Sequence, residues 1–440
     1  MSNLGLIDFI KGVYRRLFPV KDIQTALGIT PALSQEMLER IDIWSRCYQG
    51  KAEWVDNDRV ISLRLESSSV RELANVTLNE MTVNVSNEKL NGLLENVRAS
   101  LNKNLQRGLA TGGMVIKPLN EAQAQFVAAD GFIPVEFDAD GRLLDVVFPE
   151  FRKIGEKYYT RLERHALNGN KLTITNTAYA SDSERTLGRE VPLSAVNDWK
   201  NYVSAVIFPV DRPVFGYFRT PNDNTVDGSA AGISVFETVL EKIKRADIQF
   251  GRLDYEFESA KRRIHADVSM VKKTNSGFEL DEVYVDVNGD SDDFYREFSP
   301  ALRQEGFIAG LEEYKREIEF DIGLSYGDLS QPQYVEKSAT EVNAAKFRKR
   351  NTVNQIQEQL KKCLDDLVFA FAFYNRLTKS GYEFSCDFKD SILNDEQSER
   401  EEDRKDLANG TLRPEEYRAR WRNETLAKAK ANLPEAAEVD

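Results

Sequence analysis

The 440-residue sequence has only two histidines and three cysteines. His165 and His265 each lie in a strand-like stretch with no Cys or His at metal-ligand spacing, so we expect core or surface strand residues rather than ligands or general bases. Cys47, Cys363 and Cys386 are widely spaced, which is typical of reduced, buried thiols and not of a disulfide framework. The cysteines therefore predict a reducing compartment.

Long apolar runs are also missing. The longest strongly apolar run near the C-terminal third, residues 367–373, is far shorter than the roughly 20 residues that span a bilayer. The first 18 residues contain Asp8 and Lys11 and no small-residue cleavage site, which makes a poor signal peptide. We predict no transmembrane helix, no membrane partner and an amphipathic first helix in a cytosolic protein.

A basic excess is missing as well, since the formal net charge is −13. A protein that holds nucleic acid tightly by counterion release usually carries a positive excess. We therefore do not expect tight DNA binding. Charge alone leaves open whether DNA slides past this protein or never meets it.

Sequence motifs for catalysis are not found. The paired glycines before Lys117 are not a phosphate loop, because Lys117 is followed by Pro118 instead of Ser or Thr. The acidic segment from Asp286 to Glu297 has calcium-loop spacing, but Ser291 stands where the sharp turn needs glycine. There is no nucleophile elbow either. The sequence thus predicts no enzyme, no cofactor and no metal, and a solvated acidic turn at 286–297.

Apolar residues at helical spacing dominate the middle of the chain. One seam alternates steps of three and four, the period of a helix packed against another long helix: Phe236, Val239, Ile243, Ala246, Phe250, Leu253, Phe257, Ala260 and Ile264. A second set with the same spacing is its predicted partner: Phe307, Leu311, Tyr314, Ile318 and Ile322. The pairing could lie within the chain, as a hairpin with no larger meaning, or between subunits.

The N-terminal part has a mixed pattern. A helix with one leucine-rich face, from Leu90 to Leu105, runs into Gly112 and Gly113, where the helix should end and a strand begin. Residues 125–210 alternate apolar and polar positions between turns, which predicts an antiparallel region. The predicted class is α+β.

Between the second helix of the pair and a third helix lies a Gly-, Pro- and Gln-rich loop. The third helix should open at Ser338, with Glu341 three residues later as a capping box. A helix ending in IGLS, a loop, then KSATEV opening a long helix resembles the portal proteins of long-tailed, siphophage-like double-stranded DNA bacteriophages. Residues 34–50, 112–117 and 231–257 are similar to that family in the same order, and the resemblance covers roughly residues 30 to 425.

The resemblance implies a portal fold in an oligomeric ring. It has a mixed α/β wing, a two-helix stem, a small β-rich clip, a tunnel loop, a long helix and a helical crown. The implied regions are 1–230 for the N-terminal part of the wing, 231–263 and 302–324 for the stem helices, 264–301 for the clip, 325–338 for the tunnel loop, 339–360 for the long wing helix, and 361–440 for the crown and tail.

The resemblance also implies function and partners. A portal forms a ring, dodecameric in the capsid, at one vertex of the virion, through which DNA is packaged and ejected, and it assembles in the host cytoplasm. The implied partners are further copies of the chain, double-stranded DNA in the channel, the terminase large subunit, the head–tail connector or adaptor, and the major capsid and scaffolding proteins.

Three groups of residues are the predicted functional positions. The stem seam consists of Phe236, Val239, Ile243, Phe250, Leu253 and Phe257. The tunnel loop consists of Tyr326, Gly327, Asp328, Gln331, Pro332, Gln333 and Tyr334, and its low apolar content predicts little contribution to folding. A basic cluster, either a solvated helix face or cations facing DNA or a neighbouring subunit, consists of Lys346, Arg348, Lys349 and Arg350.

Two other functions stay open at this point. A carboxylate-and-metal nuclease is conceivable with 72 acidic residues, although no compact Asp/Glu/Lys constellation lies at a predicted strand end. A coiled-coil scaffold or adaptor that never touches DNA would also account for the heptads.

Overall fold

The computed structural model describes residues 20–259, 263–266, 273–274, 277–278, 284–286, 295–298, 301–332, 339–379, 381–388, 396–422 and 426–433. These residues contain both helices and mainly antiparallel sheets, which confirms the predicted α+β class. Two compact units are formed, Met1–Thr77 with Val83–Ser385, and Leu78–Thr82 with Cys386–Asp440.

Four helices and one strand occupy residues 20–111, and the predicted amphipathic first helix lies outside the described residues. They are α1 (Val20–Leu27), α2 (Gln35–Tyr48), α3 (Leu65–Leu78), β1 (Met81–Val85) and α4 (Glu88–Thr111). The Ser34 hydroxyl accepts the Met37 N–H and so caps α2, while the Asn87 side chain caps α4 in the same way. The predicted leucine face of α4, from Leu90 to Leu105, is buried.

Gly112 ends α4 with a φ of 90°, and β2 (Gly113–Pro118) follows directly, as predicted from the glycine pair. A Cβ on Gly112 would lie 2.2 Å from the carbonyl oxygen of Gly232, and a Cβ on Gly232 would lie 2.2 Å from the carbonyl oxygen of Gly112. Only glycine at both positions allows the two backbones to come so close.

Two antiparallel sheets follow. In the smaller, β2 lies between β3 (Ala124–Ala128) and β10 (Gly216–Arg219). The larger has the order β4-β5-β6-β7-β8, with β9 also paired to β7. Its strands are β4 (Ile133–Phe137), β5 (Leu143–Ile154), β6 (Lys157–Asn168), β7 (Lys171–Ser181), β8 (Arg189–Val191) and β9 (Ala205–Phe208). The predicted antiparallel region is confirmed.

A helical hairpin comes next, formed by α5 (Leu240–Ser259) and α6 (Gln304–Ile322). The predicted first stem helix began at residue 231, which is too early. Residues before Leu240 form a loop and a short 3-10 turn, because the Val235 N–H bonds to the Leu109 carbonyl instead of to a helical partner. Between the helices lie β11 (Arg263–Ala266), β12 (Lys273–Thr274), β13 (Gly277–Phe278), β14 (Tyr284–Asp286) and β15 (Tyr295–Phe298).

Helix α7 (Ala339–Tyr374) is the longest element, with 36 residues. The predicted division at 360 falls inside it, because no Gly or Pro interrupts its apolar seam there. The spacing of three and four from Val353 onward predicts this seam, and it is buried at Ile356, Leu360, Cys363, Leu367 and Phe371. Gly216 of β10 lies against the Cys363 carbonyl, where any Cβ would clash at 2.1 Å.

The second unit contains charged helices. Their bounds are α8 (Glu396–Ala408), α9 (Pro414–Arg422) and α10 (Leu426–Ala431), and β16 (Phe384–Phe388) crosses from the first unit into the second. The Asp403 carboxylate accepts the Trp421 indole N–H at 2.8 Å and bonds to the Arg420 guanidinium at 2.9 Å. The sequence predicts a break at Asn409 and Gly410 and a helix that starts at Pro414, and the structure confirms both.

Candidate functional site: the loop between α6 and α7

Gly323 ends α6 and starts the loop. Its φ is 85°, a left-handed conformation that favours glycine, and a Cβ there would lie 2.2 Å from the Thr352 hydroxyl oxygen of α7. The Leu324 N–H then bonds back to the Glu319 carbonyl at 2.8 Å, and the Leu324 side chain is fully buried. The chain therefore leaves α6 in one defined direction.

The buried carboxylate of Glu319 binds the loop backbone. Its Oε1 accepts the N–H groups of Gly327 at 3.1 Å, Leu329 at 2.5 Å and Ser330 at 2.7 Å, and its Oε2 accepts the Ser330 hydroxyl at 2.8 Å. Four donors on one buried carboxylate fold the loop into a compact turn around it.

A second acid of α6 holds the next residue of the loop. Glu312 accepts the Gln331 N–H at 2.6 Å and the Lys315 ammonium at 2.8 Å. Burial by itself raises the pKa of Glu312, but the Lys315 and Gln331 bonds outweigh burial and hold that pKa below its ordinary value.

Asp328 connects the loop to two helices. Its Oδ2 accepts the Ser325 N–H at 2.8 Å and lies 3.0 Å from the Lys349 ammonium of α7. Lys349 is 6% exposed and also bonds to Glu72 of α3 at 2.7 Å. The described part of the loop is thus anchored by buried charges, so the prediction that the loop contributes little to folding is wrong for residues 325–331. Gln333 and Tyr334 lie outside the described residues.

The predicted basic cluster is not one common surface. Lys349 is buried in its ion pairs, while Lys346 is exposed and Arg350 is half-buried. The Arg348 guanidinium lies 4.2 Å from the Phe320 ring centroid and 5.5 Å from that of Tyr326. Within the described residues, Lys346 is the member of the cluster best placed to meet a partner.

The α5–α6 hairpin beneath the loop is antiparallel. Near its tip the Arg303 guanidinium is 2.7 Å from Glu256, in the middle Gln249 donates to the Phe307 carbonyl at 3.4 Å, and near its base the Lys242 ammonium lies 2.9 Å from Glu317. The two predicted partner helices therefore pair within the chain.

The predicted stem seam changes in burial along its length. Phe236, Val239 and Ile243 are completely buried, Phe250 and Leu253 are half-buried, and Phe257 is 46% exposed. The apolar stripe therefore runs out of the core and onto the surface towards the tip of the hairpin. Among the described residues, Phe257 at the outer end of the stripe is exposed.

His165 lies in β6 and His265 in β11, so both are strand residues, as predicted. His165 is buried, and its Nε2 is 2.8 Å from the Glu163 carboxylate. Burial, the largest effect, lowers its pKa despite that carboxylate, so the ring is neutral at pH 7. The three cysteines are free and buried, as predicted, and burial raises the pKa of Cys47 to about 12.

In the described part of the chain, no group of three His, Cys, Asp or Glu side chains is arranged to hold a metal ion. No helix among the same residues has the length and apolar character needed to cross a membrane.

Comparison with protein-family models and with curated proteins gives no match for this chain. The geometry of the chain itself must therefore carry the functional interpretation.

Sequence reasoning missed the two acids that hold the loop. Glu312 and Glu319 are seven residues apart, hence on the same face of α6. One signal was available: Glu319 lies in the last turn of α6, which has no basic residue, and an acid is unfavourable at that end of a helix dipole. Such an acid needs local donors, and the loop N–H groups supply them.

Proposed function

We propose that this chain is the subunit of a bacteriophage portal, a ring at one capsid vertex through which double-stranded DNA enters and leaves. The proposal extends the sequence resemblance with the order of the elements. A mixed sheet-and-helix region precedes a helical hairpin with short strands at its tip, and a loop and one long helix follow.

The observation that carries the proposal is the way the loop is held. A loop that lines a channel needs a fixed base, because passing DNA would otherwise displace it. Here Glu319, Glu312 and Lys349 fix residues 325–331 against two helices. The formal net charge of −13 also favours sliding of DNA over tight binding.

The stem seam supports assembly into a ring. In the outer part of its apolar stripe, Phe250 is half-buried and Phe257 is 46% exposed among the described residues. Large exposed apolar side chains in a row are typical of protein–protein contact sites. A ring needs two different complementary faces on each subunit, and the seam supplies one of them.

The partners follow from this function. The ring would dock the terminase large subunit, which hydrolyses ATP, and later the head–tail connector, and it would contact the major capsid and scaffolding proteins. In this scheme the chain catalyses no reaction, and it acts in the virion after assembly in the host cytoplasm.

Negative-stain electron microscopy of the purified full chain tests the proposal. A portal gives closed rings with a central hole, and counting the symmetry gives the number of subunits. A protein that stays monomeric or dimeric over a wide concentration range by light scattering would contradict the proposal. Rods or small bundles would favour a scaffold, and divalent-dependent cleavage of DNA would favour a nuclease.

A further inference from the structure

A cavity of about 100 Å³ lies in the first unit between α4, the small sheet and the large sheet. Its walls are both charged and apolar. Charged side chains reach it from α4 (Arg107), β2 (Lys117), β5 (Glu150) and β6 (Arg161 and Glu163). A space of this size holds several water molecules or one small organic molecule.

The Lys117 ammonium is a cationic group in this cavity with unused hydrogen-bonding capacity. Lys117 is 5% exposed, and within the described residues its one hydrogen-bond acceptor is Glu163 at 2.6 Å. Its nitrogen also lies 4.5 Å from the Phe148 ring centroid. An ammonium has three N–H donors, so donors remain for an acceptor inside the cavity.

The acids around Lys117 are already satisfied. Glu163 is bonded to Lys117, to Arg161 at 3.1 Å and to His165 at 2.8 Å. Glu150 receives two bonds from Arg161 and lies 2.7 Å from Arg152, a cation outside the lining. These carboxylates therefore do not offer free negative charge to a ligand.

The charge balance of the lining favours an anion. Arg107, Lys117 and Arg161 face three acids, Asp130, Glu150 and Glu163. Arg152 adds a further positive charge beside Glu150. The remaining walls are apolar and include Met114, Phe126, Val127, Phe148 and Pro149.

We propose that this cavity binds a small organic monocarboxylate, with its carboxylate on the Lys117 ammonium and its apolar body against Phe148 and Met114. Such a ligand satisfies the free donors of a buried ammonium and also covers apolar walls, which inorganic anions do not do. This site lies in the sheet region and is independent of the ring function.

Thermal unfolding of the full chain with sodium isobutyrate, compared with sodium chloride and sodium phosphate at equal ionic strength, tests the site. Isobutyrate should raise the unfolding temperature in a saturable way, by about 1–2 °C at ten times its dissociation constant. The chloride and phosphate salts should not reproduce that shift. A response to phosphate as large as that to isobutyrate would overturn the carboxylate assignment.

Two variants and a control show whether the isobutyrate shift arises in this cavity. Lys117→Met removes the ammonium, and Gln125→Trp fills the cavity from β3 without touching the ion pairs, so both should abolish the isobutyrate shift. Lys157→Met, at an exposed position of β6, should keep it. If Lys117→Met does not fold, Gln125→Trp decides. No shift in the unmodified protein, or an unchanged shift in Gln125→Trp, would overturn the proposal.

Discussion

Glu319 and Ser330, eleven residues apart, are joined by two hydrogen bonds, one from the Ser330 N–H at 2.7 Å and one from its hydroxyl at 2.8 Å. Both residues are buried. One carboxylate of the preceding helix in this way binds the backbone of a polar loop, which Glu312 and Lys349 also hold.

Glu319→Gln should therefore destabilise the chain. The amide keeps one acceptor oxygen but places an NH₂ group against N–H and hydroxyl donors, and hydrogen bonds to charged groups contribute about 1.5–3 kcal/mol each. We expect a loss of about 2–4 kcal/mol in the free energy of unfolding, measured by denaturant titration. Glu313→Gln, an exposed acid of the same helix, should cost under about 1 kcal/mol. Equal effects in the two variants would show that the loop is not anchored as described.

A deletion in the loop between α6 and α7 distinguishes a DNA conduit from a scaffold protein. Removing residues 333–336 leaves every contact that Glu319 and Glu312 make to the described residues, since the last of these is to Gln331. Ring assembly and thermal stability should be nearly unchanged, while heads assembled with the shortened chain should fill poorly or leak DNA. Loss of rings would identify the segment as a contact between subunits, and normal DNA filling and retention would contradict a gating role.

The buried carboxyl group of Glu66 predicts a specific pH dependence of folding stability. Its side chain is fully buried and neither carboxyl oxygen has a hydrogen-bond partner among the described residues. Burial, with a smaller contribution from the charge of Asp247, raises its pKa to about 8. The folded chain therefore holds a proton that the unfolded chain releases near pH 4.5. The resulting stabilisation is complete below pH 4.5 and is lost as the pH rises through 8.

Glu66→Gln should mimic the protonated form. At pH 4.5 the free energy of unfolding of Glu66→Gln should be close to that of the unmodified chain. At pH 9 the variant should be more stable by on the order of 3–5 kcal/mol, because each pKa unit corresponds to about 1.4 kcal/mol. Thermal unfolding across this pH range measures it. Glu88→Gln, in the first turn of α4 and exposed, is the control and should show no such trend. A constant difference between Glu66→Gln and the unmodified chain at all pH values would disprove the assignment.

The stem seam can be divided into a folding part and an assembly part. Ile243→Ala removes a completely buried side chain and should cost about 2–5 kcal/mol in the stability of the subunit. Phe257→Ala changes a half-exposed side chain and should leave the subunit stable while weakening assembly, measured by light scattering. If Phe257→Ala forms rings as readily as the unmodified chain, the exposed stripe is not a subunit contact.

Lys349 and Lys346 both lie in α7, but their replacement should have different effects on the stability of the chain. Lys349→Met leaves Asp328 without its cation in a mostly buried site, and breaking such a pair costs about 3 kcal/mol. Lys346→Met should leave stability unchanged within about 0.5 kcal/mol, because the side chain is exposed. Only the second variant should alter the salt dependence of weak DNA contacts. Equal destabilisation by both would contradict the burial of Lys349.

Apolar periodicity predicted much of the fold. The face of α4, the glycine that ends it, the antiparallel sheets, the pairing of α5 with α6 and the seam of α7 all depend on local spacing, which a sequence displays directly. The start of α5 was missed because a long-range bond between Val235 and Leu109 replaced the helical one.

The anchored loop could not be found by the same means. Glu319 and Lys349 have the composition of a solvated helix face, and only the tertiary structure brings them together with loop N–H groups and with Asp328. Buried charges are the exception among charged residues, so a pattern-based reading assigns them to the surface. The cavity beside Lys117 could not be predicted for the same reason, because its charged lining residues also have the composition of a surface.

The mutual contact of Gly112 and Gly232 bears on how the sequence diverges. Each glycine leaves room for the carbonyl oxygen of the other, so a side chain at either position forces the two backbones apart. Substitution at one position brings no relief at the other, and both glycines should persist together in any descendant with this fold. The segments 112–117 and 231–257 are therefore under one shared steric constraint, and a change in one of them at its glycine must be accommodated by the backbone of the other.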